Sequence, residues 1–492
     1  MKKPERRSVT EEEERQRIER AERAETAAST DIISSLPDCL LSHILSFLPI
    51  RDSAATSVLS RRWRHLWILV PILDLDFGLD DMLMNNYFWE KERTFSFMDT
   101  VSMILSLRNS IPDPMPLHKL RLHCTYSDSD PDSDPSYIET CLQDTITIVQ
   151  LQELDLHLYF PNQPLELPRS VFFCTTLVVL KLDEDFLLNP PPASTWMFPS
   201  LKILQLQHIY YADGDSLSTL LAACPVLQDL TLIVNYFQLE HAGKFNIIVP
   251  VPTLKSFFIS CMCVESSSYK LHINTPALEY LRFIGRLGDD VVLEDLPNLV
   301  KSVVNIRNHE TMSITNYAKR VRDFMGLLYN VVSIELYMDT LQILYNVSND
   351  DVPKFHNLST LTFYGQLQPD WNAWHAIRLL LCRAPKLQTL AFRLNHYADN
   401  GSIPDSCLEE SMDVPECLSS HLTTCHYKVL SGFGVEMKLV KLILKAAKVL
   451  KTMRITVRSL LESKVKLQVQ EELRKFPKSS QTCQIAFDYE NK

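Results

Sequence analysis

Glycine is scarce in this chain, with ten residues among 492. Glycine-lined loops that cradle phosphates have little material to form from, and no Walker phosphate loop, GxGxxG, HExxH or GxSxG string occurs. No run of about 18 apolar residues exists, so no membrane-spanning helix is expected. The first thirty residues carry no apolar core, and no secretory signal is expected. Asn346, Asn357 and Asn400 head Asn-x-Ser strings, which are chance matches without a secretory route. Cysteine is present twelve times, but with no CxxC pair and no regular framework. Reduced thiols of a cytosolic or nuclear protein are therefore expected. A cationic surplus is also missing. The net charge of −11 argues against a general nucleic-acid binder, which needs Lys and Arg to neutralise phosphates.

What the chain does have is 46% apolar and 22% charged residues, the balance of a folded protein with a large core. Residues 1–31 mix Lys, Arg and Glu with almost no large apolar residue, and are expected to form a charged, unfolded arm. Order is expected from Ile32. Leu40, Leu41, Ile44, Leu45 and Leu48 recur at helical spacing between Pro37 and Pro49, which predicts a first helix. A second is predicted over Asp52 to Val58 with Asp52 as its cap. A third is predicted after Ser60, carrying Arg61-Arg62-Trp63-Arg64-His65-Leu66-Trp67. Three short helices make a very small core, and such a unit usually needs another protein or domain to cover its remaining apolar face.

From about residue 117 the chain turns to L-x-x-L-x-L strings. They include Leu151-Gln-Glu-Leu154-Asp-Leu156, Leu177-Val-Val-Leu180-Lys-Leu182, Leu201-Lys-Ile-Leu204-Gln-Leu206 and Leu227-Gln-Asp-Leu230-Thr-Leu232. Weaker copies start at Leu254, Leu278, Val331, Leu358 and Leu387. The central copies start about 24–27 residues apart, inside the leucine-rich-repeat range. Each string reads as a short strand with alternate apolar residues inward, which one repeat cannot bury alone. Stacked copies are expected to form a parallel sheet. The segments ending at Pro225 and Pro385 read as short helices stopped by proline. Near the C-terminus, helices are predicted over Met437 to Ala447 and Leu460 to Phe476, and strands over Thr452 to Val457 and Gln484 to Phe487. They are expected to cap the open end of the solenoid.

Residues 32–76 resemble the F-box, in the form common among plant F-box proteins. The resemblance rests on Leu36-Pro37-Asp38, Leu40-Leu41, Ile44-Leu45, Leu48-Pro49, Thr56-Ser57-Val58-Leu59-Ser60-Arg61-Arg62-Trp63-Arg64 and Leu66-Trp67. The C-terminal part resembles the FBD module through Val414-Pro415-Glu416-Cys417-Leu418, Leu444-Lys445-Ala446-Ala447, Leu450-Lys451 and Phe476-Pro477. Together these readings give an α/β chain: arm 1–31, helical F-box 32–76, leucine-rich-repeat solenoid 77–400 and FBD-type α+β cap 401–492. The resemblance implies docking onto a Skp-type adaptor, and through it to a cullin scaffold and a RING subunit, while the repeats hold a protein substrate. The chain would then be a non-catalytic receptor subunit of an E3 ubiquitin ligase. Catalysis by proximity asks for no reacting side chain, cofactor or metal on it.

The residues that match the docking motif are Leu36, Pro37, Leu40, Leu41, Ile44, Leu45, Leu48, Val58, Leu59, Trp63, Leu66 and Trp67. Some of them must build the module's own core, and sequence does not sort the two groups. Cys39 departs from the acidic residue that relatives often carry. The substrate-contacting residues are not legible. Two other readings stay open, a ligand-sensing receptor and a scaffold that uses the adaptor without ubiquitin transfer.

Other constellations invite chemistry and are set aside. Asp128, Asp130, Asp132, Asp134 and Glu139 copy EF-hand spacing, but Ser133 stands where the sharp turn wants glycine, and an acidic surface loop is preferred. Cys39 with His43, and Cys417 with His421 and Cys425, would share helical faces as zinc ligands. The β-formers from Leu422 to Val429 predict a strand that separates the second set. Arg61-Arg62-Trp63-Arg64 could contact nucleic acid, yet it lies inside the F-box match of an acidic chain.

Overall fold

The computed structural model describes residue 33 and residues 35–77, 97–111, 116–125, 139–140, 142–143, 151–159, 164–192, 195–235, 245–262, 269–288, 290–308, 314–346, 352–366, 373–395, 414–430, 434–458 and 463–489. The arm expected over 1–31 and the acidic string 128–138 lie outside these residues. The chain divides into two bodies, residues 1–123 with 149–151, and residues 124–148 with 152–492.

The first body opens with α1 (Asp38–Leu45) and α2 (Ile50–Ala55), followed by tight turns at Thr56–Val58 and Leu66–Leu69. Pro37 and Pro49 each stand just before a helix with φ near −59° and −52°. Neither helix needs an N–H there, and the fixed φ of proline suits the entry. Two expectations are corrected. Asp52 does not cap α2 but sits in its first turn, because Pro49 starts the helix three residues earlier. The third helix is replaced by successive i→i+3 bonds from Trp63, Leu66 and Ile68 to Ser60, Trp63 and His65. Three-residue spacing superimposes Trp63 and Leu66 on one side, and both are core residues. Leu41, Leu45, Trp63, Leu66 and Val70 form that core, with Leu36, Ile50 and Trp67 packed against it.

The body continues through β1 (Ile72–Phe77), α3 (Phe97–Asn109) and β2 (Lys119–Thr125). Arg108 of α3 is buried and donates to the Ile68 and Val70 carbonyls, the latter at 2.9 Å. Burial pushes its pKa down to about 10, so it stays charged at neutral pH.

In the second body the leucine strings become strands because residues two apart share a face. Thirteen of them run parallel, side by side, in chain order: β3 (Glu153–Tyr159), β5 (Val179–Glu184), β7 (Ile203–Gln207), β9 (Asp229–Asn235), β11 (Ser256–Met262), β13 (Tyr280–Gly285), β15 (Lys301–Ile306), β16 (Ser333–Tyr337), β17 (Thr360–Gln366), β18 (Thr389–Asn395), β19 (Thr424–Leu430), β20 (Thr452–Val457) and β21 (Gln484–Tyr489). Two three-stranded parallel sheets accompany them. One holds β4 (Leu165–Glu166), β6 (Phe186–Leu188) and β8 (Tyr210–Tyr211). The other holds β10 (Phe245–Val249), β12 (Tyr269–Ile273) and β14 (Asp290–Leu293). The intervening helices α4 (Arg169–Phe172), α5 (Ser216–Ala222), α6 (Ile314–Gly326), α7 (Met338–Leu344) and α8 (Ala373–Cys382) include the two expected before Pro225 and Pro385.

Register aligns the repeats into two buried columns. One runs Leu154, Leu180, Leu204, Leu230, Phe257 and Leu281, and the other Leu156, Leu182, Leu206, Leu232, Ile259 and Phe283. Each such side chain contributes about 1.5–3 kcal/mol when removed from water. All nine strings are strands. A tenth copy, β15, escaped notice because Ser302 occupies the column position where its neighbours carry Leu281 and Ile334.

The C-terminal segment alternates α9 (Glu416–Ser420), β19, α10 (Gly434–Ala446), β20, α11 (Ser463–Arg474) and β21. It ends the ladder by adding three more parallel rungs, with Tyr427, Ile455 and Phe487 in the column of Phe392.

Glycine is demanded by this packing at Gly285 and Gly288, the latter because a Cβ there would lie 2.2 Å from the Tyr269 carbonyl oxygen. Gly285 has φ +122°, and a Cβ there would lie 1.9 Å from the Cys261 carbonyl oxygen on the neighbouring strand. Gly365 has a similar φ of +119°, but its nearest neighbours would be 3.5 Å away. Gly365→Ala is expected to lose about 1–3 kcal/mol from backbone strain alone. Gly285→Ala is expected to lose clearly more, because a backbone atom must move. Urea unfolding midpoints of the two variants check the ranking.

Candidate functional site

On α1, Leu41 and Leu45 turn inward. Leu40, Ile44 and Leu48, at four-residue spacing one position earlier, make the neighbouring stripe and are exposed. Two more positions extend the apolar surface, Val58 at 86% and Leu59 at 65% exposure, and Pro37 is exposed as well. The twelve residues that match the docking motif thus fall into three groups. Leu41, Leu45, Trp63 and Leu66 are core, Leu36 and Trp67 are half-buried against it, and Pro37, Leu40, Ile44, Leu48, Val58 and Leu59 face outward. Sequence reasoning missed two exposed apolar residues beside these motif positions, Phe47 at 77% exposure and Ile33. Phe47 lies three residues beyond Ile44, a spacing that could have flagged it.

A polar clamp fixes the motif's two ends. The Arg62 guanidinium meets Asp38 at 2.6 Å and donates to the Leu36 carbonyl. Trp67 Nε1 donates to the Arg64 carbonyl at 3.1 Å. These contacts weaken the nucleic-acid reading of Arg61-Arg62-Trp63-Arg64, since Trp63 is buried and Arg62 is engaged. Cys39 and His43 both lie on α1, whereas Cys417, His421 and Cys425 do not form a metal-ligand cluster among the described residues. Cys417 lies on α9 with its thiol 3.3 Å from the Leu381 carbonyl, whereas Cys425 is buried in β19.

The outward face of the long sheet carries a second feature. Register sets Arg393 of β18 directly beside Lys428 of β19, and His426 of β19 beside Arg454 of β20. Like charges opposite one another on a sheet are unfavourable. Arg393 also lies over the Tyr364 ring, which stacks on Tyr337. Among nearby acids, Asp488 meets Arg454 at 3.4 Å, and Glu335 meets Lys301 at 2.6 Å.

Burial pushes the His426 imidazole down to about 4, helped by Lys428, Arg454 and Arg393 and opposed by Asp488. Its Nε2 lies 3.2 Å from the Thr456 hydroxyl. As pH falls below about 6.5 the unfolded chain takes up this proton first. This residue therefore withdraws stability as pH drops from there to about 4. His426→Gln is expected to flatten that part of the stability curve, which urea titrations at a series of pH values would show.

No helix among the described residues is long and apolar enough to cross a membrane. A small helical module with an unshielded apolar face, together with a ladder of leucine-rich repeats, defines a class of modular binding proteins. The family models agree in detail. The F-box domain model matches residues 33–74, the model described as FBD-associated F-box protein At5g56370, LRR repeats, matches 142–264, and the FBD model matches 410–455. F-box/LRR-repeat protein At4g14103 of Arabidopsis thaliana is 34% identical over 378 residues, covering 75% of this chain and 92% of the relative. F-box/LRR-repeat protein 13, also of Arabidopsis thaliana, is 30% identical over 446 residues, covering 87% and 90%. The chain belongs to the F-box/LRR-repeat family and carries an FBD module.

Proposed function

We propose that this protein is the substrate-recognition subunit of a Skp adaptor–cullin–RING ubiquitin ligase. It docks through residues 32–76 and recruits a protein substrate through the repeats of 77–400, with 401–492 completing the ladder. The observation that carries this reading is the outward apolar group Leu40, Ile44, Leu48, Val58 and Leu59 on a helical module whose core cluster is Leu41, Leu45, Trp63, Leu66 and Val70. Water contact at such a patch is unfavourable, and a second protein relieves it. Proximity then does the catalytic work, with no reacting group required from this chain.

Substrate contact is best served by the cationic stretch Arg393, Lys428 and Arg454 beside Tyr364, with the neutral His426 between them. An acidic partner segment would offset its cross-strand repulsion, and Arg forks suit carboxylates. Partners recovered from cells with the intact chain are expected to be long-lived when residues 32–76 are deleted and short-lived when they are present. Equal lifetimes would leave a scaffold without ubiquitin transfer. Arg393→Glu with Lys428→Glu is expected to release those partners while leaving adaptor recovery unchanged.

A further inference from the structure

Three consecutive repeats place histidine or carboxylate side chains near the C-terminal ends of their strands. His157 of β3 and Asp183 of β5 are register partners, and His208 directly follows β7. The Asp183 carboxylate sits between the two imidazoles. Its Oδ2 is 3.3 Å from His157 Nδ1, and its Oδ1 is 3.0 Å from His208 Nδ1. Glu184 brings Oε1 to 3.8 Å from the same His208 nitrogen. One donor atom each from Asp183, Glu184 and His208 lies within 4.8 Å of the others. Around a tetrahedral zinc with bonds of about 2.0–2.1 Å, donor atoms stand about 3.3–3.4 Å apart. The 3.0 and 3.8 Å separations to His208 lie within about half an ångström of that spacing, and the Asp183 and Glu184 oxygens, within 4.8 Å, would close by at most about 1.4 Å to admit an ion.

The backbone supports the convergence. Among the described residues, Glu184 (φ 72°) and His208 (φ 51°) are the non-glycine residues with positive φ. That region is uncommon for side chains of this size. Both exceptions lie in the same four-residue cluster, and both bring a donor to Asp183 or to its partner imidazole. A single histidine–carboxylate pair would account for His208 alone. It leaves unexplained why a second imidazole from another repeat and a second carboxylate meet at the same place.

We propose that Asp183, Glu184 and His208, joined by His157, bind a divalent transition-metal ion of the zinc type and thereby tie three adjacent repeats together toward the C-terminal ends of their strands. Imidazole nitrogen with carboxylate oxygen suits zinc, cobalt or nickel. Calcium and magnesium favour all-oxygen shells.

The test uses the full chain without a polyhistidine tag, titrated near neutral pH with zinc chloride by calorimetry and with cobalt chloride by visible absorption. One ion per chain is expected, with micromolar or tighter affinity. Zinc, but not magnesium, is expected to raise the melting temperature of the intact chain. Asp183→Asn keeps the side-chain size, and His208→Asn keeps a residue that accepts positive φ. Each is expected to weaken zinc binding at least about 100-fold. His272→Asn, which breaks a separate histidine–glutamate pair, should leave it unchanged. Failure of the intact chain to take up zinc and gain thermal stability would overturn the proposal. So would uptake that both Asn variants retain in full, since the ion would then sit elsewhere.

Discussion

Ile44→Asp is expected to abolish recovery of the Skp-type adaptor while leaving the protein folded. Ile44 is 47% exposed in the stripe between Leu40 and Leu48. An aspartate there meets water in the free chain, so the melting temperature should barely move; exposed substitutions usually stay within about 0.5 kcal/mol. In a complex, the same carboxylate would be stripped of water against apolar side chains. Losing an anchor at an interface centre and burying a charge there is expected to cost at least about 3 kcal/mol, or about 100-fold in affinity. Leu41→Asp should lose the adaptor too, for a different reason. Leu41 is fully buried, and its replacement unfolds the module. Leu36→Ala with Pro37→Ala is a mixed probe, because Leu36 packs on the core while Pro37 is exposed. Adaptor binding measured beside a melting curve separates these cases. Undiminished adaptor binding by Ile44→Asp, Leu48→Asp and Val58→Asp would sink the docking assignment.

Phe392→Ala is expected to cost about 3–5 kcal/mol of stability. The ring is fully buried and stacked between Phe363 and Tyr427, with centroids 5.6 and 5.7 Å away. Each aromatic pair adds about 0.5–1.5 kcal/mol beyond its burial, so the loss should reach the upper part of that range. The location matters as much as the size. Phe392 belongs to β18, and its neighbour Tyr427 opens the three FBD-side strands. Repeat arrays are stabilised mainly by nearest-neighbour contacts. A weakened rung here is therefore expected to split urea unfolding into two steps, with the strands beyond β18 melting first. Phe392→Leu should restore most of the stability and a single transition. A shift below about 1 kcal/mol, or an unsplit transition, would count against a continuous column through both regions.

The legible part of this architecture was what depends on local spacing. Large apolar residues two apart announced the strands of all nine strings, and four-residue spacing announced α1. Thr452 to Val457 was foreseen as a strand to the residue. The misses were equally physical. Ser302 hid β15 because a polar residue took a buried column position. The stretch from Arg61 to Trp67 carries a helix-like spacing, but its backbone closes i→i+3 turns once Trp63 and Leu66 must both reach the same small core.

The sequence by itself determined the repeating period, the apolar columns and the presence of an N-terminal motif, since each is encoded by residues close together in the chain. Only the tertiary structure decided which members of that motif turn inward and which stay wet. Leu40 and Leu41 are equally apolar, and just the direction of the helix toward Trp63 and Leu66 separates them. It alone also joined His157, Asp183 and His208, and Arg393, Lys428 and Arg454. Stacking parallel strands brings positions about 25–35 residues apart to within one strand spacing, so their charges meet only after the ladder has formed.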